Sequence, residues 1–174
     1  YTSGNWPSQV ALSPTLRYAM IANNFDEISG PLPRGLSDMP NLYSFDMQGP
    51  GQKFTGTIPP LPQALEVFNV LDNLLTGITP DLINMPKLQL LEVSGNRLTG
   101  LGNVHDCPEL QVVSARDNEI SGGFPSFSNL PKLLELNLPG NDMTGTLPPS
   151  LSELPALTRL DVARNKLTSP LPGI

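Results

Sequence analysis

The sequence predicts an α/β-type repeat solenoid: a right-handed superhelix with a parallel β-sheet on its concave side and short 3-10 or irregular segments on its convex side. Three observations predict it. Leucine recurs in seven similar units along 174 residues. An apolar-x-apolar alternation opens each unit, which is the period of a strand with one buried face. Pro (20) and Gly (15) make up about one fifth of the chain, yet many fall at fixed offsets within the units. In an aperiodic chain that composition approaches the disordered range of about 25–30%. Here it comes with 29 Leu and only 15% charged residues, whereas disordered chains are poor in apolar and rich in charged residues.

The units start at Leu16, Leu42, Leu65, Leu88, Leu110, Leu133 and Leu157. Residues 1–15 are an N-terminal flanking segment, and 16–174 are the seven repeats. The sixth unit is the most regular: Leu133, Leu136, Leu138, Asn141, Met143, Thr144, Gly145, Leu147, Pro148, Leu151, Leu154 and Pro155. Each part has a physical reason. Leu, Leu and Leu at spacings of three and two put one short strand's apolar face inward. An Asn follows where the chain leaves the strand, at Asn24, Asn73, Asn96, Asn118, Asn141 and Asn165. Stacked, these amides form a column that satisfies backbone groups which would otherwise be orphaned. Gly follows at Gly30, Gly56, Gly77, Gly100, Gly122 and Gly145, where permissive backbone or close approach is needed. Pro then directs an extended, non-helical return.

This pattern, L-x-x-L-x-L-x-x-N-x-L-T-G-x-L-P-x-x-L-x-x-L-P, resembles the leucine-rich repeat proteins, specifically the plant-type subfamily with its LTGxIP second half. The resemblance covers residues 16–174 and recurs seven times. It implies protein or peptide ligands, commonly at a cell surface or in a secreted protein, although an intracellular location fits the chain as well. No single unit buries its Leu face alone, but stacked neighbours do.

Several units depart from the pattern. Unit two carries Pro50 at the expected Asn and a two-residue insertion within Gly49-Pro50-Gly51-Gln52-Lys53. Unit one has a similar insertion around Asp26-Glu27, so the two loops are expected side by side on one rim. Pro59 to Pro62 lead almost directly to the next strand, and unit four has Leu101-Gly102-Asn103 in place of the I-P step. Unit seven has Ser169 for Gly and reaches Ile174 with an apolar end and no C-terminal cap. Solenoid ends need polar caps, so additional chain or a partner is expected to cover it. The chain opens at Tyr1 without initiator Met, signal peptide or targeting stretch and reads as an excised or processed piece. Paired cap cysteines and N-x-S/T sequons are absent.

Composition narrows the chemistry. A net charge of −6 argues against a nucleic-acid binder, which needs a basic face. No apolar run approaches the ~18 residues of a membrane-inserted span. One Cys forbids an internal disulfide, and one His forbids a His-rich metal site. Of the cluster His105-Asp106-Cys107, Cys107 aligns with Leu130 and Leu154 and reads as a small core hydrophobe. Asp46 and Glu92, two strands apart at about 9.6 Å, overlap the spacing of an inverting glycosidase pair. No nucleophile or oxyanion donor accompanies them. The expectation is therefore a non-enzymatic chain with no catalytic residues, metal or cofactor.

The outward side chains of the concave sheet are the candidate ligand-binding site: Tyr18, Tyr43, Asp46, Glu66, Val67, Leu90, Glu92 and Val112. Exposed aromatic and aliphatic residues flanked by carboxylates read as a patch for a protein or peptide with a basic rim. A structural subunit packing through its uncapped ends is the alternative. A minor alternative is ice or surface adsorption through the column Ser29, Thr55, Thr76, Thr99, Ser121, Thr144 and Thr168. That column reads more plainly as a second strand-like element.

Overall fold

The computed structural model describes residues 13–20, 28–48 and 52–168. Seven parallel strands form one sheet: Tyr18–Met20, Ser44–Asp46, Val67–Asn69, Leu90–Glu92, Val112–Ser114, Glu135–Asn137 and Arg159–Asp161. Their spatial order is their chain order. This is the stack of rungs that the Leu spacing predicts. The register is unbroken: Tyr18, Ser44, Val67, Leu90, Val112, Glu135 and Arg159 stand in one row.

The middle residue of each strand points inward. Phe45, Phe68, Leu91, Val113 and Leu136 are all buried. They join the unit-initial Leu42, Leu65, Leu88, Leu110 and Leu133 in a continuous core. Rings fill the second and third rungs, where Phe45 and Phe68 stack at 5.7 Å between centroids. Burying each of these side chains contributes about 1.5–3 kcal/mol, but only when a neighbouring rung supplies the other wall.

The Asn column closes the turn after each strand. Asn96 shows the arrangement. Its Nδ2 donates to the carbonyls of Val70, Val93 and Ser94, each at 3.0 Å. Its Oδ1 accepts the Leu75 N–H at 3.0 Å. Asn73, Asn118, Asn141 and Asn165 repeat this, accepting from Phe54, Leu98, Ile120 and Met143. Every amide thus bonds its own rung and the preceding one. Asn24 lies outside the described residues.

The return half is more ordered than irregular segments. A second set of parallel strands follows the Asn turn: Ile28–Pro31, Gln52–Gly56, Leu74–Ile78 and Arg97–Gly100 form one sheet, and Ser121–Gly122, Asp142–Gly145 and Lys166–Leu167 another. The repeat glycines sit within them, five of the six with left-handed backbone, as at Gly77 (φ 79°) and Gly145 (φ 79°), and Gly100 without it. Leu82–Ile83, Val104–His105 and Phe127–Ser128 form a fourth, three-stranded sheet along the back. The expected 3-10 turns occur in units one and six, at Leu36–Asp38 and Pro149–Glu153. The short strands replace them where the rung stays extended.

The register also relocates the second unit's turn. Thr55 pairs with Leu74, as Thr76 pairs with Arg97 and Thr144 with Lys166. Counting back three residues from each Thr lands on Asn73, Asn141 and, in unit two, position 52 rather than Pro50. The insertion therefore precedes the Asn slot. Residues 49–51, Asp26 and Glu27, the terminal flank 1–12, Ser169 and Ile174 lie outside the described residues.

Candidate functional site

The concave sheet presents three outward rows. The row one residue before each strand is Arg17, Tyr43, Glu66, Gln89, Gln111, Leu134 and Thr158. Tyr43 N–H bonds the Arg17 carbonyl and Glu66 N–H bonds the Tyr43 carbonyl, which carries the sheet into this row. Next comes the row running from Tyr18 to Arg159. The last runs Met20, Asp46, Asn69, Glu92, Ser114, Asn137 and Asp161.

Exposure is uneven along these rows. Tyr18 (44%), Met20 (50%) and Tyr43 (42%) are three of the five large hydrophobics that are exposed among the described residues, and all lie on the first two rungs. The Tyr18 and Tyr43 rings stand 6.2 Å apart, tilted by 35°. Tyr18 Oη donates to Met20 Sδ at 3.4 Å. Val67, Leu90 and Val112 are half-buried and continue the apolar stripe along three further rungs. Not every outward position is open, because Ser44, Asn69 and Ser114 are buried beneath their larger neighbours.

The last row spends most of its polar groups on the chain itself. Asn69 Oδ1 accepts the Leu71 N–H (3.2 Å), Glu92 Oε1 the Ser94 N–H (2.9 Å) and Asp161 Oδ1 the Ala163 N–H (3.1 Å). Asp46 departs from this habit, as does Asn137, whose Oδ1 is shielded and takes no bond among the described residues. Asp46 Oδ2 takes one bond of 3.4 Å from Gln48 Nε2, and its Oδ1 is shielded and takes none. Glu66 is half-buried and forms no ion pair among the described residues. At the other end Glu135 faces Arg159 at 3.7 Å, so that acidic side chain already has its counter-charge. Asp46 and Glu92 are two strands apart, as their spacing predicts, with Asn69 between them.

The other candidates separate. Cys107 is fully buried with its Sγ against the Leu82 and His105 carbonyls at 3.4 Å, and burial pushes its thiol pKa up. His105 Nδ1 meets Asp106 Oδ2 at 2.9 Å, and Asn129 Nδ2 donates to Asp106 Oδ1 at 2.8 Å. The His105 bond, then that of Asn129, holds Asp106 below the ordinary carboxylate range. His105 is the register partner of Ser128, but no hydrogen bond joins their side chains, so no nucleophile–base pair is assembled. Among the described residues no group of three His, Cys, Asp or Glu side chains could hold a metal ion. No helix there is long and apolar enough to cross a membrane. The Thr column is exposed from Thr55 onward, and three of its hydroxyls bond within the fold: Thr76, Thr144 and Thr168 donate to the carbonyls of Gly56, Gly122 and Gly145 at 3.1–3.4 Å.

A stack of parallel, Asn-braced rungs of about 23 residues defines the leucine-rich-repeat class of solenoid. Residues 132–154 match the Leucine Rich Repeat family model, and the same rung geometry extends over the described strands on either side, so the fold is that of a leucine-rich-repeat solenoid. No curated protein is a significant match to the chain. Among solved structures, the chain is similar to the Arabidopsis receptor kinase HAESA, determined with the peptide hormone IDA and the co-receptor SERK1: 24% identity and a TM-score of 0.77, covering 97% of this chain and 29% of that one. A TDR receptor (22% identity, TM-score 0.50) is covered over 38% of its length. The plant peptide hormone receptor RGFR1, solved with RGF2 (20% identity, TM-score 0.50), is covered over 35%. In both, 97% of this chain is aligned. The chain thus spans about a third of each neighbour.

Proposed function

We propose that the chain is a non-enzymatic recognition module that holds a protein or peptide on its concave face, within a cell-surface or secreted protein. One observation carries this reading. The apolar stripe Val67, Leu90 and Val112 is turned away from the core in three adjacent rungs, with Tyr18 in the same row two rungs before Val67, where packing does not require it. A preformed sheet loses little ordering entropy on docking, so modest contacts suffice for specific binding. The solved neighbours with bound peptide hormones agree with the choice of ligand class.

Peptides selected from a random display library on the folded chain test it. Leu90→Glu and Val112→Arg are expected to weaken the selected peptides at least tenfold, while Thr99→Ala on the exposed return strand leaves them unchanged. Far-UV circular dichroism checks that each variant keeps the fold. Full binding by Leu90→Glu and Val112→Arg overturns the concave-face assignment.

A further inference from the structure

We infer that the first three rungs of the concave face form a seat for an arginine side chain of the bound partner; this deepens the reading above and rests on it. Tyr18 and Tyr43 are exposed on adjacent strands with ring centroids 6.2 Å apart. Glu66 is the next residue in the Tyr43 row, about 4.8 Å away across the sheet. Asp46 closes the other side, opposite Met20. The floor is small and polar, made by buried Ser44 and Asn69. Aromatic faces with adjacent carboxylates attract a cation twice over, by the ring quadrupole and by charge.

Two features place this seat at one end of the face. First, its carboxylates carry no counter-charge among the described residues, although Asp46 Oδ1 is shielded and its Oδ2 faces Gln48. Asp46 receives no backbone N–H, unlike Asn69, Glu92 and Asp161 in the same row. Neither Asp46 nor Glu66 has an ion-pair partner among the described residues, whereas Glu135 has Arg159. Second, the three exposed large hydrophobics of this face's first rungs, Tyr18, Met20 and Tyr43, surround it. Arg17 stands on the far side of Tyr43 in its row and is the opposing charge. It directs a cation toward the Glu66 side.

The seat favours arginine over lysine. A guanidinium stacks flat on a tyrosine face while its fork engages a carboxylate, and it sheds water more readily than an ammonium. Equal charge therefore does not mean equal binding, which separates this site from general attraction to a chain of net charge −6.

The test uses labelled hexa-arginine and hexa-lysine with the 174-residue chain, read by fluorescence anisotropy at low ionic strength. Hexa-arginine is expected to bind at least tenfold more tightly than hexa-lysine. Tyr18→Ala with Tyr43→Ala should remove that difference. Asp46→Asn with Glu66→Gln should weaken both peptides about tenfold, and Asp161→Asn at the opposite end should change neither by more than about twofold. Arg17→Ala should tighten hexa-arginine. Equal binding of the two peptides, or a preference that survives loss of both tyrosines, overturns the seat. If the seat fails while Leu90→Glu still abolishes display-selected peptides, only the arginine assignment falls; if both fail, the face itself is wrong.

Discussion

Replacing Asn96 by Ala tests whether the amide column holds the rungs together. The side chain makes four hydrogen bonds and is 7% exposed. Its deletion does not leave four groups unpaired. The Val70 carbonyl keeps the Asn73 amide, the Val93 carbonyl keeps that of Asn118, and the Ser94 carbonyl keeps the Asp72 N–H. Only the Leu75 N–H is orphaned. That orphan costs about 1–3 kcal/mol, and the three weakened carbonyls add a fraction of about 1 kcal/mol each. The expected loss is about 3 kcal/mol, or roughly 6–12 °C in Tm for a chain of this size. Calorimetry and urea unfolding measure it, and amide exchange should locate the opening at Leu75. Asn96→Asp sharpens the test. An ionised carboxylate keeps the Leu75 bond but turns acceptors toward three carbonyls, so it should cost more than Ala at pH 7. Its pKa rises in the folded state through burial and the facing carbonyls. The variant then gains stability as pH falls toward the unfolded value of about 3.9, the reverse of an ordinary paired carboxylate. A loss below about 1 kcal/mol for Asn96→Ala, or an Asp variant as stable as Ala at pH 7, refutes the reasoning.

Two further outcomes follow from the same packing. Gly95 has φ of 64°, and a methyl there meets the Asp72 carboxylate of the preceding rung. Gly95→Ala should cost about 2–4 kcal/mol, and adding Asp72→Gly should recover all but the roughly 1–2 kcal/mol of left-handed strain; an additive double-mutant cycle contradicts the clash. The Cys107 thiol, buried and with its pKa raised, should be unreactive toward a disulfide reagent at pH 8 in the native state and react fully in urea. Labelling in seconds without denaturant contradicts that placement.

Much of the rung was legible because it depends on local period. The L-x-L alternation locates each concave strand, and the strand register agrees with it at all seven units. The Asn slot of the first two units was not legible from spacing to the preceding Leu, since insertions there change that distance. A better ruler was present: Gly stands four residues after Asn73, Asn96, Asn118 and Asn141. The same count back from Gly56 and Gly30 gives positions 52 and 26. The sheet of two-residue strands along the back was not legible for a different reason. Strands of two residues, such as Leu82–Ile83 and Val104–His105, carry no period of their own and exist only through pairing with the next rung.

The openness of the concave rows was only partly legible, because alternation tells which way a side chain points and not what its neighbours cover. Ser44 and Ser114 point outward yet are buried, being shorter than the residues beside them. The last row divides labour with the other two. Asn69, Glu92 and Asp161 each cap an N–H two residues on, so substituting them exposes an unpaired backbone donor and acts first on stability. Tyr18, Tyr43, Glu66 and Leu90 make no such bond, so substituting them leaves the rung intact and acts on recognition. Asp46 belongs to the last row by position and to the other two by its bonding, since among the described residues Gln48 is its one hydrogen-bond partner. On this argument Asp46→Asn should leave Tm within about 1 °C while Asn69→Ala lowers it by several degrees, although the two residues are register neighbours. A position that is outward, acidic and caps no backbone N–H is where a solenoid rung departs from self-maintenance, and on this face that departure falls beside the exposed tyrosines.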